Sequence, residues 1–143
     1  MNARDFFTAD QKSTIRLSIA AAELHTSGEI RVHIENSAGK DALARAKKIF
    51  DGLGMHKTAE RNGVLFYLAV KDHAFAIYAD KGIYERVPHN FWDEVRDAML
   101  DDFSKQKFTE GLCAGIVMAG EKLKEHFPRE GSDKDELSNE VSF

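Results

Sequence analysis

The apolar positions of this chain change period along its length. After Thr8-Ala9-Asp10-Gln11, residues Ile15, Ile19, Ala22 and Leu24 form one apolar stripe at helical spacing. Thr8 and Gln11 make a capping-box pattern, in which each side chain bonds the other's backbone N–H. Thr26-Ser27-Gly28 ends the helix, with Gly28 free to take the positive φ of a helix stop. "EIRVHIEN" then alternates strictly. Ile30, Val32 and Ile34 point one way; Glu29, Arg31, His33 and Glu35 point the other. That pattern predicts a half-exposed strand at or near a sheet edge. A second helix follows, with Leu43, Ala46, Ile49, Phe50 and Leu53 on one side and Gly54 at its end. "GVLFYLAV" is apolar on both faces and reads as a central strand covered by two layers. "AFAIYA" is another such strand. The short turn Lys71-Asp72-His73 between them means antiparallel pairing.

Pro88 opens a further helix, with Phe91, Val95, Met99 and Phe103 as its stripe and Trp92 beside it. In the last helix Leu112, Ile116, Ala119, Leu123 and Phe127 fall on one line. Gly111, Ala114, Gly115 and Gly120 predict close packing on a sheet, since each interior glycine costs about 1 kcal/mol of helix propensity. Pro128 ends this helix, and "REGSDKDELSNEVSF" is a polar tail.

Helices on both sides of doubly buried strands give a three-layer α/β/α sandwich with a small mixed sheet. Residues 1–127 form one α/β domain and 128–143 its tail. The first two strands are joined through a helix and so run parallel by a right-handed crossover. The third runs back. The start of strand one (Ser27, Gly28, Glu29), the start of strand two (Glu60, Arg61, Asn62) and the end of strand three (Asp80, Lys81) therefore meet at one rim. "KGIYERVPHN" leaves that rim as a loop.

Composition narrows the classes. A chain of 143 residues, 43% hydrophobic and 31% charged, is an ordinary globular domain. Its net charge of -4 and lack of a local Lys/Arg run argue against nucleic acid as a partner. A single cysteine, Cys113, excludes an internal disulfide and a cysteine metal cluster, and its apolar neighbours make it a small buried hydrophobe. "MNARDFFTADQK" lacks the apolar core of a signal peptide, and no stretch approaches a membrane span, so the chain reads as soluble and cytoplasmic.

Candidate chemistry lies at the rim. Asp80 is either a turn residue bonding its own backbone or a ligand for a hard cation. Glu85 is a solvated loop acid or a second ligand. Glu29 is a third ligand or a cross-strand partner for Arg61. Arg61 can also clamp a phosphate or carboxylate two-pronged. Asn62 joins it as a ligand-binding residue or shapes the entry to the strand with Gly63. Glu94, Asp97 and Asp101 share a helix face, which reads as solvated or as relieved by a cation. His33 and Glu35 share a strand face, and His89 stands four residues before Asp93. Neither histidine pair has the spacing of a zinc motif.

"SGEIRVHIE", "LGMHKTAERNGVLFYLAVKDHAFAIYADKGI" and "FTEGLCAGI", in that order, resemble the TPM domain over about residues 9 to 127. Asn62-Gly63 before an apolar strand is the most specific element. "DELSNEVSF" resembles the tail of small stand-alone bacterial members. The resemblance implies an α/β/α sandwich, acid phosphatase activity in some members, and calcium at an acidic rim cluster in others. The chain departs from the pattern at three acidic positions, where Arg61, Tyr84 and His89 stand. The reading is a binding module with a protein partner and a weak calcium site at Asp80, Glu85 and Glu29. The alternative is a weak metal-assisted acid phosphatase, with Arg61 on the phosphoryl oxygens.

Overall fold

The computed structural model describes residues 2–129 and 139–143. Helices α1 (Ala3–Phe6) and α2 (Ala9–Glu23) lead into β1 (Glu29–Glu35) and α3 (Ala42–Gly52). A 3-10 turn (Met55–Lys57) precedes β2 (Gly63–Ala69) and β3 (Ala74–Ala79). Helices α4 (Lys81–Arg86), α5 (Asn90–Ser104) and α6 (Phe108–His126) complete the order. The sheet runs β1-β2-β3, with β1 parallel to β2 and β3 antiparallel to it.

The central strand explains the layering. All seven residues of β2 are buried. Val64, Phe66 and Leu68 meet the cluster built by α2, α5 and α6, while Leu65, Tyr67 and Ala69 meet Ala46 and Phe50 of α3. The central strand is thus covered on both faces, as its apolar run predicts, whereas β3, expected to be covered likewise, is buried only at Ala79 because it is an outer strand of the sheet. Both halves of the Thr8/Gln11 capping box form, at 3.1 and 2.8 Å. Gly54, expected at the end of its helix, follows α3 with a positive φ, +73°.

Several local expectations fail for identifiable reasons. Leu24 lies past the end of α2 and is 61% exposed, and Leu43 is likewise exposed. Gly28 is not in the left-handed region; a Cβ there would sit 2.9 Å from Leu123 Cδ1, so the position needs a small residue. The α6 glycines face mainly helices. Gly111 meets Phe103 and Gly115 meets Met99, both of α5, and Gly120 meets Ala22 of α2; only Gly115 also touches the sheet, at Phe66. "KGIYER" is a helix rather than a loop, capped by Asp80 and anchored by Ile83. Cys113 is half-buried beside the core rather than inside it.

The polar face of β1 is not half-solvated: Glu29 and His33 are both buried. Part of the cover comes from the chain's far end. Ser142 donates its N–H to Val32 O and accepts from Ile34 N, both at 2.9 Å, so the C-terminal residues extend the sheet on the open side of β1. Val141 packs on the core, and the Phe143 ring lies under Lys12 Nζ at 4.9 Å. The expected polar tail falls largely on residues 130–138, outside the described residues. No described helix is long and apolar enough to cross a membrane.

Candidate functional site

The rim forms because the strand registers are aligned. Glu29 pairs with Gly63, and Val64 with Ala79, which brings Asp80 level with Gly63. Two backbone bonds tie the three strand ends: Glu29 N to Asn62 O at 3.2 Å and Asp80 N to Gly63 O at 3.0 Å. Asp80 is 2% exposed and caps α4 through Lys81 N at 2.8 Å.

Arg61 holds the other side of that carboxylate. Its Nε donates to Asp80 Oδ2 at 2.7 Å and its second guanidinium nitrogen to Oδ1 at 2.9 Å, a two-pronged pair. The bonds to Asp80 push the guanidinium above its usual range. Arg61 reaches this position from a left-handed backbone, φ 52°, which a non-glycine residue adopts at a cost of about 1 kcal/mol. Its carbonyl receives Gly82 N at 3.0 Å, so α4 is fastened to the same residue. The expected partnership of Arg61 with Glu29 does not form: the left-handed turn aims the guanidinium at β3 instead.

Asn62 is 1% exposed. Its Nδ2 donates to Ser27 Oγ at 3.1 Å, and Ser27 in turn donates to Glu60 Oε2 at 2.5 Å. Its backbone N–H bonds Thr58 Oγ1 at 3.2 Å. Asn62 Oδ1 is buried and, among the described residues, has no hydrogen-bond partner. Asn62 therefore does more than shape the strand entry: it locks the β1 and β2 starts together.

The three predicted metal ligands are not a ready site. Glu29 and Asp80 share the rim, but both oxygens of Asp80 serve Arg61, and Glu85 lies on the exposed side of α4. Among the described residues no three His, Cys, Asp or Glu side chains group closely enough to hold a metal. Glu94, Asp97 and Asp101 are solvent-exposed, with Lys105 beside Asp101 at 3.4 Å. His89 stacks edge-on against Tyr84 rather than pairing with Asp93, whose partner is Arg96.

A second polar cluster sits at the far end of β1. Glu35 accepts from Arg45 Nε at 2.9 Å, from its second guanidinium nitrogen at 2.5 Å, and from Tyr67 Oη at 2.6 Å. His33 Nε2 stands 3.3 Å from Glu35 Oε1, and His33 Nδ1 lies 2.8 Å from Ser142 Oγ. The Arg45 bonds, helped by Tyr67, hold Glu35 down at about 2. Burial and the Glu35 bond push the Tyr67 phenol up, and burial lowers His33. A carboxylate this well satisfied is a poor base, so the cluster is a latch between α3, the sheet and the C-terminal residues. Its signal in the sequence is Tyr67, a hydroxyl in an otherwise apolar central strand that must find a partner.

The family model of the TPM domain matches residues 1–122. This chain belongs to the TPM domain family. Among solved structures it is similar to the NMR structure of the BA42 protein from the psychrophilic bacterium Bizionia argentinensis. The two share 44% identity at a TM-score of 0.91, over 96% of this chain and 95% of that one. Two further NMR structures share the TPM fold at low identity. The N-terminal domain of a protein from P. gingivalis is 19% identical, with a TM-score of 0.68, covering 86% of this chain and 80% of that one. The N-terminal domain of cg2496 from Corynebacterium glutamicum is 14% identical, with a TM-score of 0.65, over 82% and 74%. A comparison with curated proteins gives no match.

Proposed function

We propose that this TPM domain is a binding module with a protein partner, and that its rim takes calcium weakly and in competition with Arg61. One observation carries the reading: both carboxylate oxygens of Asp80 are bonded by Arg61. Metal-assisted phosphate hydrolysis would need Asp80 on the metal and Arg61 on the phosphoryl oxygens. The ion pair withdraws both groups at once. A cation at Asp80 must first displace the guanidinium, which favours an affinity on the order of 10⁻⁴ to 10⁻³ M.

An assay on an aryl phosphate, with and without calcium or magnesium, tests the enzymatic alternative. The expected result is no turnover above the buffer blank in the native protein or in Asp80→Ala. Turnover that is abolished by Asp80→Ala and kept in Asp101→Ala would establish the phosphatase and overturn the binding-module reading.

A further inference from the structure

The two edges of the sheet are treated differently. The open side of β1 carries the C-terminal residues through Ser142. Beyond β3 no described strand follows. Its sequence, AFAIYA, has none of the devices that blunt an edge: no charge, no proline, no glycine for a bulge. Five of its six residues are half-exposed. Asp80 N bonds Gly63 O, so in the antiparallel alternation Tyr78 and Ala76 also point their backbone groups at β2. The N–H and C=O of Phe75 and Ile77 then point outward.

Those outward groups open into a groove of about 290 Å³ between α3 and α5. Leu43 lines it on the α3 side; Trp92, Asp93 and Arg96 line it on the α5 side. Leu43 is 51% exposed, so the apolar wall is already uncovered. Asp41, the N-cap of α3, lines it as well, and Arg96 is tied to Asp93 at 3.3 Å, so two carboxylates face one guanidinium. The groove thus sets Trp92 beside a net negative lining, a combination that suits a cation near the ring. A second copy of this chain is a poor occupant, because pairing two β3 edges about a twofold axis sets two net negative groove linings against each other.

The geometry points to β3 as a docking edge for an extended segment of a partner protein, added as a fourth strand, with apolar residues alternating with Lys or Arg. The proposal rests on the protein-binding reading but not on the rim or its cation.

Trp92 is the chain's single tryptophan, so its emission reads the groove directly. The full chain is titrated with a short peptide of alternating valine and lysine, and separately with valine–glutamate and proline–lysine versions. The expected result is a saturable change with valine–lysine alone, and at least tenfold weaker response from the other two. Proline–lysine keeps the charge and lacks the N–H groups a ladder needs. Asp93→Lys, an exposed change in the first turn of α5, should weaken valine–lysine binding about tenfold while the thermal midpoint falls by only about a few degrees. Equal responses to valine–lysine and proline–lysine, or no loss in Asp93→Lys, would overturn the proposal. A particle mass that doubles with concentration would assign the edge to a second copy and overturn it too. A calcium response at the rim with no peptide response would reject the edge and leave the rim reading standing.

Discussion

Gly82→Ala should destabilise the domain by about 3 kcal/mol or more, lowering the thermal midpoint by roughly 10 °C. Gly82 is buried in the first turn of α4. A Cβ there would overlap the carbonyl oxygen of Glu60 and lie 2.7 Å from that of Arg61. Both obstacles are backbone atoms at the mouth of β2, with no rotamer to change. Relief requires α4 to lift, which breaks the Gly82 N to Arg61 O bond and pulls on the Asp80 cap. Gly52→Ala is the control. Gly52 closes α3, has no neighbour within 4 Å of a new Cβ and does not need a positive φ. It should be neutral or slightly stabilising. Calorimetry checks both. A Gly82→Ala protein that melts like the native one would mean that α4 is not fastened to the rim.

The latch at the other end of β1 gives the second large effect. Glu35→Ala should cost about 3 kcal/mol at neutral pH, because the buried Tyr67 side chain and Arg45 lose their shared acceptor. The pH dependence has a definite sign. Glu35 titrates at about 2 in the folded chain against an ordinary 4.5, so the unfolded chain binds the proton first as pH falls. Its contribution is complete above 4.5 and is lost on the way down to 2. Unscreened, that gap is worth about 3 kcal/mol. Arg45 is 38% exposed, so solvent screening brings it nearer to about 2 kcal/mol. His33 acts in the same direction, since burial lowers its pKa and the folded chain resists the proton below 6.5. Denaturant melts across pH 2 to 7 check this. The difference in stability between native protein and Glu35→Ala should shrink as the acid range is entered. A difference that stays constant down to pH 2 would show that Glu35 does not titrate as its contacts require.

The strands and their order were legible because two short-range patterns decide them. Alternation in "EIRVHIEN" and the double-faced run in "GVLFYLAV" mark strands, and connection length sets their directions. From direction alone, Glu29, Asn62 and Asp80 must end at one rim, and the aligned register places them there. The partners within the rim were not legible. Whether Arg61 meets Glu29 or Asp80 turns on one left-handed φ and on a six-residue helix too short to show a period. The burial of Glu29 and His33 escaped for a related reason. Polarity in a strand records what a side chain can hydrogen-bond, not whether something covers it. For His33 part of the cover is Ser142, 109 residues along the chain. The Glu35 latch likewise joins residues from α3 and two strands, and no local spacing announces it.

On the function proposed above, Arg61 holds the rim and competes with a cation for Asp80. Calcium titration followed by the amide resonances of residues 80–86, against sodium at matched ionic strength, tests it most directly. Arg61→Gly removes the guanidinium and suits the left-handed backbone at that position. Arg61→Lys keeps the charge and loses the two-pronged grip. Arg61→Gly should bind calcium at least about tenfold more tightly than the native protein, equivalent to about 1.4 kcal/mol of displaced ion pair, with Arg61→Lys between them. Equal affinities in all three proteins, or a response in Arg61→Gly confined to residues away from the rim, would contradict it.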